Sequence, residues 1–148
     1  METRKSSRLI IVDESGRLLL FFYNDEHQPP FWATVGGELK PGEGYVDAAK
    51  RELYEETGLI QEVGEVLRDR DEVYAVARSV PARWLEKYFL VKWPSGAEVS
   101  PAKWTDEEKC TIQEWRWWSL AEMREEKASQ FKPDWIPDLL HSVLCESD

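Results

Sequence analysis

The segment 37–59 constrains this chain more than any other part, because it places an acidic cluster at helical spacing. Glu52, Glu55 and Glu56 stand at positions i, i+3 and i+4, so a helix brings their carboxylates onto one face. Glu43 stands at the entrance of that helix. Like charges at this spacing raise each other's pKa and destabilise a helix unless a cation lies among them. The cluster therefore predicts a hard divalent cation held by oxygen ligands, with Mg²⁺ as the natural choice and diphosphate as a ligand.

The residues of segment 37–59 also follow a recognisable spacing. The order is Gly37, five residues, Glu43, seven residues, Arg51-Glu52-Leu53, one residue, Glu55-Glu56, one residue, and Gly58-Leu59. This pattern resembles the Nudix box at every specified position. A chance match is on the order of 10⁻⁹ to 10⁻¹⁰ per window, so coincidence is a poor rival to the resemblance.

Two flanking features are also similar to Nudix enzymes. Trp32 precedes the paired glycines Gly36 and Gly37, and a Trp-rich segment is followed by Ser119-Leu120-Ala121-Glu122. Val35 is a departure, since family members often carry Pro before the paired glycines. We expect this change to alter the loop slightly and to leave the chemistry intact.

The size and charge of the chain favour one acidic domain spanning residues 1–148. A chain of 148 residues buries a sizeable core and leaves little room for a second one. Acidic side chains number 29 and basic ones 19, which gives a net charge of −10. This balance argues against nucleic acid or an anionic membrane as a partner. Bound metal would offset the charge where a phosphate substrate approaches.

The cysteine content and the amino terminus indicate a cytoplasmic protein. Cys110 and Cys145 do not form a CxxC pair and are interpreted as reduced structural residues. The apolar run near the amino terminus is too short for a signal peptide, and no segment approaches the roughly 20 apolar residues of a membrane span.

Apolar runs and turn residues predict alternating strands and helices. The predicted strands are 8–12, 17–23, 31–39, 62–68, 72–78, 88–93 and 111–118, and polar loops are predicted at 24–30 and 94–109. Ser119 and Glu122 have the form of a capping box that opens a short helix. A last helix is predicted to begin near Asp134 and to turn Ile136, Leu139, Leu140 and Val143 inward.

The helix predicted at 45–57 is amphipathic. Val46, Ala49 and Leu53 fall at helical spacing opposite much of the acidic face, and Gly58 supplies a left-handed C-cap. Interleaved strands and helices suggest an α/β fold with a mixed β-sheet flanked by helices on both faces. The resemblance implies the Nudix-type α/β/α sandwich.

The resemblance also implies roles for the box residues. It makes Glu52 and Glu56 metal ligands, Glu55 a further ligand or a contact through water, and the Gly37 carbonyl a possible ligand. Glu52, Glu55 and Arg51 form the implied catalytic group, with Arg51 paired to a box carboxylate, most plausibly Glu43. The cofactor is Mg²⁺, for which Mn²⁺ is a possible substitute.

The proton acceptor is left open between the box and a loop outside it. Inside the box the candidate is Glu52, whereas outside it the chain offers Glu107, Glu108 and Glu114. A run such as 105–109 is most often a solvated loop. Four aromatic residues are candidates for stacking a base, although no spacing singles them out: Trp32, Tyr74, Trp104 and Phe131. His27 and His141 are interpreted as surface or packing residues, since Mg²⁺ prefers oxygen.

The implied reaction is hydrolysis of the pyrophosphate linkage of a nucleoside diphosphate linked to another group X. The small size of the chain favours a nucleoside triphosphate or a related small nucleotide as substrate. Two alternatives stay open: a Nudix-fold module that binds or regulates without hydrolysis, and an enzyme like the isoprenoid diphosphate isomerases, which need a catalytic Cys and Glu. Dimers are common among similar proteins, so a homodimer is a possible assembly.

Overall fold

The computed structural model describes residues 1–24, 29–75, 80–126 and 130–146. His27 and residues 76–78 of the predicted strand 72–78 lie outside this range. The strands are β1 (Thr3–Val12), β2 (Leu18–Tyr23), β3 (Phe31–Ala33), β4 (Val35–Glu38), β5 (Val66–Tyr74), β6 (Ala82–Lys92), β7 (Ile112–Trp118) and β8 (Phe131–Lys132). The helices are α1 (Tyr45–Thr57), α2 (Asp106–Thr111), α3 (Leu120–Glu125) and α4 (Ile136–Glu146).

The strands form one mixed sheet in which β1 is central. Within the described residues the sheet order is β5-β6-β1-β2-β3-β8, with β4 also paired to β1 and β7 to β2. β1 runs parallel to β6 and antiparallel to β4. β1 and β2, the strands predicted at 8–12 and 17–23, form a brief hairpin, because they pair only at Val12 and Leu18 before they separate. The separation lets β4 lie beside β1 and brings the paired glycines to the edge of helix α1.

Helices cover both faces of the sheet, and the alternation along β1 shows why its sequence is continuously apolar. Leu9 and Ile11 pack in one core with Leu53 of α1. Ile10 packs in the other core with residues of α3 and α4. Strands buried on both faces are expected to be apolar throughout. The α/β sandwich predicted from the sequence is therefore confirmed.

Helix α1 has the predicted bounds, but its apolar face was drawn incorrectly. Val46 is 49% exposed, whereas Ala49 and Leu53 are buried. Glu52 and Glu56 are buried as well. At 3.6 residues per turn these two carboxylates lie beside Ala49, and strand β4 covers that side of the helix. Glu52 and Glu56 therefore face the protein interior, on the same side of α1 as its buried apolar residues.

Several bounds in the second half of the chain differ from the prediction. One strand, β5, replaces the predicted strands 62–68 and 72–78, and β6 begins six residues before the predicted residue 88 because it pairs with β1 over its whole length. The loop predicted at 94–109 contains the start of α2, since Thr105 and Glu108 form a capping box. The capping box of Ser119 and Glu122 is confirmed. Helix α4 begins at Ile136, two residues after the predicted start.

The inward residues of α4 are as predicted. Ile136 and Leu140 are fully buried, and Leu139 and Val143 nearly so. Among the described residues, no helix combines the length and apolarity that crossing a bilayer requires.

Candidate metal centre

The paired glycines lie where no side chain has room. Gly36 has a φ of 145°, and a Cβ there would come within 2.2 Å of the Ser7 carbonyl oxygen. A Cβ on Gly37 would come within 2.6 Å of Glu52 Oε1. The contact at position 36 is with backbone at a positive φ, so position 36 requires glycine, whereas a side chain at position 37 would have to displace the Glu52 carboxylate. The backbone of β4 therefore lies directly against the acidic side of α1.

Glu56 is the most deeply buried carboxylate of the box. Glu56 is 1% exposed, and its Oε1 accepts a hydrogen bond from the Gly36 backbone N–H at 3.0 Å. Glu56 Oε2 is buried and has no hydrogen-bond partner among the described residues. Burial raises the pKa of Glu56 well above its usual value, and the nearby charges of Glu52 and Glu108 raise it further. An unpartnered buried carboxylate oxygen is costly unless a cation or proton satisfies it.

Three carboxylates converge at this position, and we call Glu52, Glu56 and Glu108 the carboxylate cluster. One oxygen from each lies within 4.8 Å of the others. Hard divalent cations take such oxygen ligands, and the unpartnered Glu56 Oε2 supplies a free one. The residues present thus fit a Mg²⁺ ion.

Glu108 reaches the cluster because α2 holds its side chain. Its Oε1 accepts a hydrogen bond from the Thr105 backbone N–H at 2.9 Å, and its own N–H donates to Thr105 Oγ1 at 3.1 Å. This reciprocal capping box was visible in the sequence as Thr-x-x-Glu. Because the run 105–109 was interpreted as a solvated loop, the sequence analysis did not predict this cap.

Arg51 organises a second group of carboxylates. It binds Glu43 through two hydrogen bonds, Nε to Oε2 at 2.8 Å and Nη2 to Oε1 at 2.9 Å. Arg51 Nη1 donates to Glu52 at 2.7 Å and to Glu55 at 3.1 Å. The hydrogen bonds from Arg51 lower the pKa of Glu43 to about 2. The pair predicted between Arg51 and Glu43 is present, and Arg51 joins it to the carboxylate cluster through Glu52.

The remaining candidates take different places. Glu55 lies in the Arg51 group and outside the set of three close oxygens. Glu107 lines the same cavity as Glu56 and Glu108, whereas Glu114 lies on β7 opposite Phe22 and does not line that cavity. The other box residues are structural: Leu53 is in the core, Leu59 packs against it, and Gly58 caps α1 with a φ of 83°.

A cavity of about 580 Å³ adjoins the carboxylate cluster. Of the four aromatic candidates for base stacking, Tyr74 lines it. Trp32 and Phe131 instead pack on Trp118, and Trp104 donates its indole N–H to the Glu56 carbonyl at 2.7 Å. The aromatic residues that the sequence reasoning missed are Tyr23, Phe31 and Tyr88.

The cavity is also lined by charged residues that the sequence reasoning missed, namely Arg8, Arg70, Glu86 and Lys132. A signal was present for two of them. Arg8 opens an otherwise apolar run, and Glu86 interrupts one face of β6, where each neighbouring position on that face is buried. A charged residue at a buried strand position indicates a paired or functional group.

Comparison with known proteins gives the family. The sequence model described as NUDIX domain matches residues 2–139. The chain belongs to the Nudix family. Among curated proteins it is 28% identical over 82 residues to Nudix hydrolase 19, chloroplastic, of Arabidopsis thaliana. That match covers 55% of this chain and 18% of the relative, so the chain spans less than a fifth of the length of the relative.

Solved structures of similar shape show that this Nudix chain has a known fold. The dihydroneopterin triphosphate pyrophosphohydrolase of E. coli is 17% identical with a TM-score of 0.70, and 99% of each chain is covered. The MutT protein from Methanosarcina mazei Go1 is 18% identical with a TM-score of 0.69, covering 99% of this chain and 96% of that one. The Ap4A hydrolase of C. elegans is 19% identical with a TM-score of 0.62, and 99% of each chain is covered.

Proposed function

We propose that this Nudix chain is a Mg²⁺-dependent hydrolase that cleaves the pyrophosphate linkage of a nucleoside diphosphate linked to X. The proposed substrate is a nucleoside triphosphate or a related small nucleotide. The observation that carries the proposal is the buried, unpartnered Glu56 Oε2 within a cluster of three carboxylates that opens onto a cavity. Family membership and the names of the similar structures support the reaction class.

In this proposal Glu52, Glu56 and Glu108 hold the metal, with Glu55 and the Gly37 carbonyl as further candidates. When bound, Mg²⁺ or Mn²⁺ would polarise the phosphoryl oxygens and lower the pKa of the attacking water. Arg51 orients Glu43, Glu52 and Glu55 by holding their carboxylates in fixed positions.

The attacking water must pass its proton to a carboxylate of the carboxylate cluster or of the cavity beside it. Glu52 is the candidate inside the box, and Glu107 and Glu108 are those outside it, because both line the cavity. Glu114 does not line the cavity, so it is not proposed as the proton acceptor. Single Glu→Gln variants at positions 52, 107 and 108 would be assayed over a range of pH. The acceptor is the residue whose replacement removes the rise of the hydrolysis rate with pH.

The two alternatives receive less support. A module that only binds nucleotides has no need for the full set of box carboxylates, and all are present here. An enzyme like the isoprenoid diphosphate isomerases requires a cysteine at the reaction site, but Cys110 and Cys145 are exposed and neither lines the cavity.

A substrate panel with Mg²⁺ tests the proposal directly. Nucleoside triphosphates, oxidised nucleotides, ADP-ribose, nucleotide sugars and dinucleoside polyphosphates would be compared by released phosphate or pyrophosphate and by the nucleotide product. Chelator-sensitive cleavage of one class, absent in Glu56→Gln, is the expected result. Tight binding without cleavage of any class would favour the binding module instead.

A further inference from the structure

Opposite the carboxylate cluster, two arginines share one buried carboxylate. Glu86 is 1% exposed, and its Oε2 accepts hydrogen bonds from the Ser6 hydroxyl and from Arg8 Nε. Its Oε1 accepts from Arg70 Nη1 at 3.1 Å and from the Tyr74 hydroxyl at 2.7 Å. A carboxylate has about four lone-pair sites, so Glu86 has no capacity left to accept a bond from a ligand. We call Arg8, Arg70 and Glu86 the arginine cluster.

The arginine cluster has surplus positive charge and unused donors. Two guanidinium groups against one carboxylate leave a net charge of +1. Arg70 has a second partner, Glu72, but the Glu72 side chain is 51% exposed and solvent screens that pair. Arg8 lines the cavity with a side chain that is 22% exposed, and its Nη2 has no hydrogen-bond acceptor among the described residues, whereas Arg70 Nε is too buried to reach a ligand. The cluster thus offers N–H donors and positive charge to whatever enters the cavity.

One residue, Gly36, separates the two clusters. The Gly36 N–H donates to Glu56 Oε1 at 3.0 Å, and the Gly36 carbonyl accepts from Arg8 Nη1 at 3.3 Å. Arg8, Arg70, Glu56 and Glu108 all line the same cavity. A diphosphate bound at the carboxylate cluster would therefore have its neighbouring chemical group beside Arg8.

We infer that the arginine cluster binds a further anionic group of the substrate, a phosphate outside the scissile diphosphate, and that Arg8 selects for it. This inference rests on the proposed function. A guanidinium binds phosphate oxygens through paired, charge-assisted hydrogen bonds. Partly buried surplus charge is stabilised by an anion, whereas the neutral edge of a base satisfies the N–H groups but leaves the charge uncompensated.

The first test compares the triphosphate and the diphosphate of one nucleoside as substrates for the parent, Arg8→Met and Arg8→Lys. Arg83→Met is the matched control, because Arg83 is exposed, pairs with Asp71 and does not line the cavity that Arg8 lines. We expect Arg8→Met to lower kcat/KM for the triphosphate by about 10- to 100-fold and to change that for the diphosphate by less than about threefold. Arg8→Lys should lie between, and Arg83→Met should match the parent.

Two outcomes of that test would overturn the inference. An equal loss for both nucleotides would mean that Arg8 does not recognise the additional phosphate. A loss that depends on the base, seen when guanosine and adenosine triphosphates are compared, would mean that Arg8 contacts the base edge.

A second measurement needs no turnover, so it separates this inference from the proposed function. Inorganic tripolyphosphate in chelator, without divalent cation, should raise the Tm of the parent and of Arg83→Met but not that of Arg8→Met. If no nucleotide is hydrolysed, the proposed function fails while this result still decides the anion site. Absence of the Tm shift in the parent would overturn the inference. If Arg8→Met does not fold, Arg8→Lys takes its place, and its Tm shift is compared with that of the parent.

Discussion

At the scale of single residues, Glu43 before helix α1 and Glu56 in its last turn are two carboxylates with opposite electrostatic environments. Glu43 is bound by Arg51, which lowers its pKa to about 2. Burial raises the pKa of Glu56 well above its usual value, with Glu52 and Glu108 adding to the effect. The difference follows from neighbours, since one carboxylate has an arginine and the other has an unpartnered oxygen. This contrast gives the first two predictions.

Replacing Glu56 with Gln should abolish turnover and spare the fold. Gln keeps an oxygen for the Gly36 N–H and removes a buried charge, so in chelator the variant should melt no lower than the parent. Activity should fall more than about 100-fold, and the rise in Tm that Mg²⁺ gives the parent should disappear. Glu62→Gln is the control, since the Glu62 side chain is 81% exposed. Parental activity with Mg²⁺ in Glu56→Gln would contradict the assignment of Glu56 as a ligand.

Replacing Arg51 with Ala should lower both stability and activity. The Arg51 side chain is 18% exposed and forms ion pairs with Glu43, Glu52 and Glu55. We expect the free energy of unfolding to fall by roughly 2–3 kcal/mol, less than for a fully buried pair. Arg83→Ala removes an exposed, solvent-screened pair and should change the free energy of unfolding much less. Urea unfolding measures both, and equal small effects would show that Arg51 contributes no more than a surface charge.

At the scale of secondary-structure elements, the end of α1 is fixed by the backbone conformation of one residue. Gly58 has a φ of 83°, and its N–H donates to the Tyr54 carbonyl at 2.8 Å. A Cβ there would lie 3.2 Å from Ser100 Cβ. The helix therefore ends at Thr57, because the left-handed conformation of Gly58 turns the chain.

Gly58→Ala should destabilise the protein more than Gly42→Ala. Both glycines have φ near 80°, so both variants carry the left-handed strain of about 1 kcal/mol. A Cβ at position 42 meets nothing within 4 Å, whereas at 58 it crowds Ser100 and should add roughly 1–2 kcal/mol. Thermal or urea unfolding compares the two variants. Equal losses would indicate that Ser100 moves aside without penalty.

At the scale of the whole molecule, Glu86 ties three strands together. It joins β1 through Ser6 and Arg8, and β5 through Arg70 and Tyr74, while lying itself on β6. Burial alone would raise the pKa of Glu86, but Arg8, Ser6, Tyr74 and Arg70 together outweigh burial and lower it. A carboxylate whose folded pKa is lowered stabilises the fold above its unfolded pKa and loses that contribution as pH falls through the folded value.

Acid should therefore narrow the stability gap between the parent and Glu86→Gln. The gap should be widest near neutral pH and should shrink from about pH 5 downward, toward and below the lowered pKa of Glu86. Tyr45 and Tyr88, which also face Glu86, have raised pKa values and stay neutral over this range. Urea unfolding at several pH values gives the gap, and other carboxylates cancel in the difference. A constant gap, or one that widens in acid, would show that ionised Glu86 does not stabilise the sheet.

Local sequence determined the elements whose signals lie within a few residues of each other. Helix α1 and its Gly58 cap, the alternating cores on either side of β1 and the capping box at Ser119 followed from periodicity and from short-range hydrogen bonding. The box spacing gave the family and the carboxylates that face β4. These features need no knowledge of distant contacts.

Only the tertiary structure decided what lies around those carboxylates. Glu108 is about fifty residues from Glu56 in sequence, and it joins the cluster because the segment before α2 is held against α1, where the Trp104 indole N–H donates to the Glu56 carbonyl. Arg8, Arg70 and Glu86 meet because β1 lies beside β6 and β6 beside β5. Pairing between distant strands is set by the packing of the whole sheet, so no local pattern in the sequence specifies which charged side chains share a cavity.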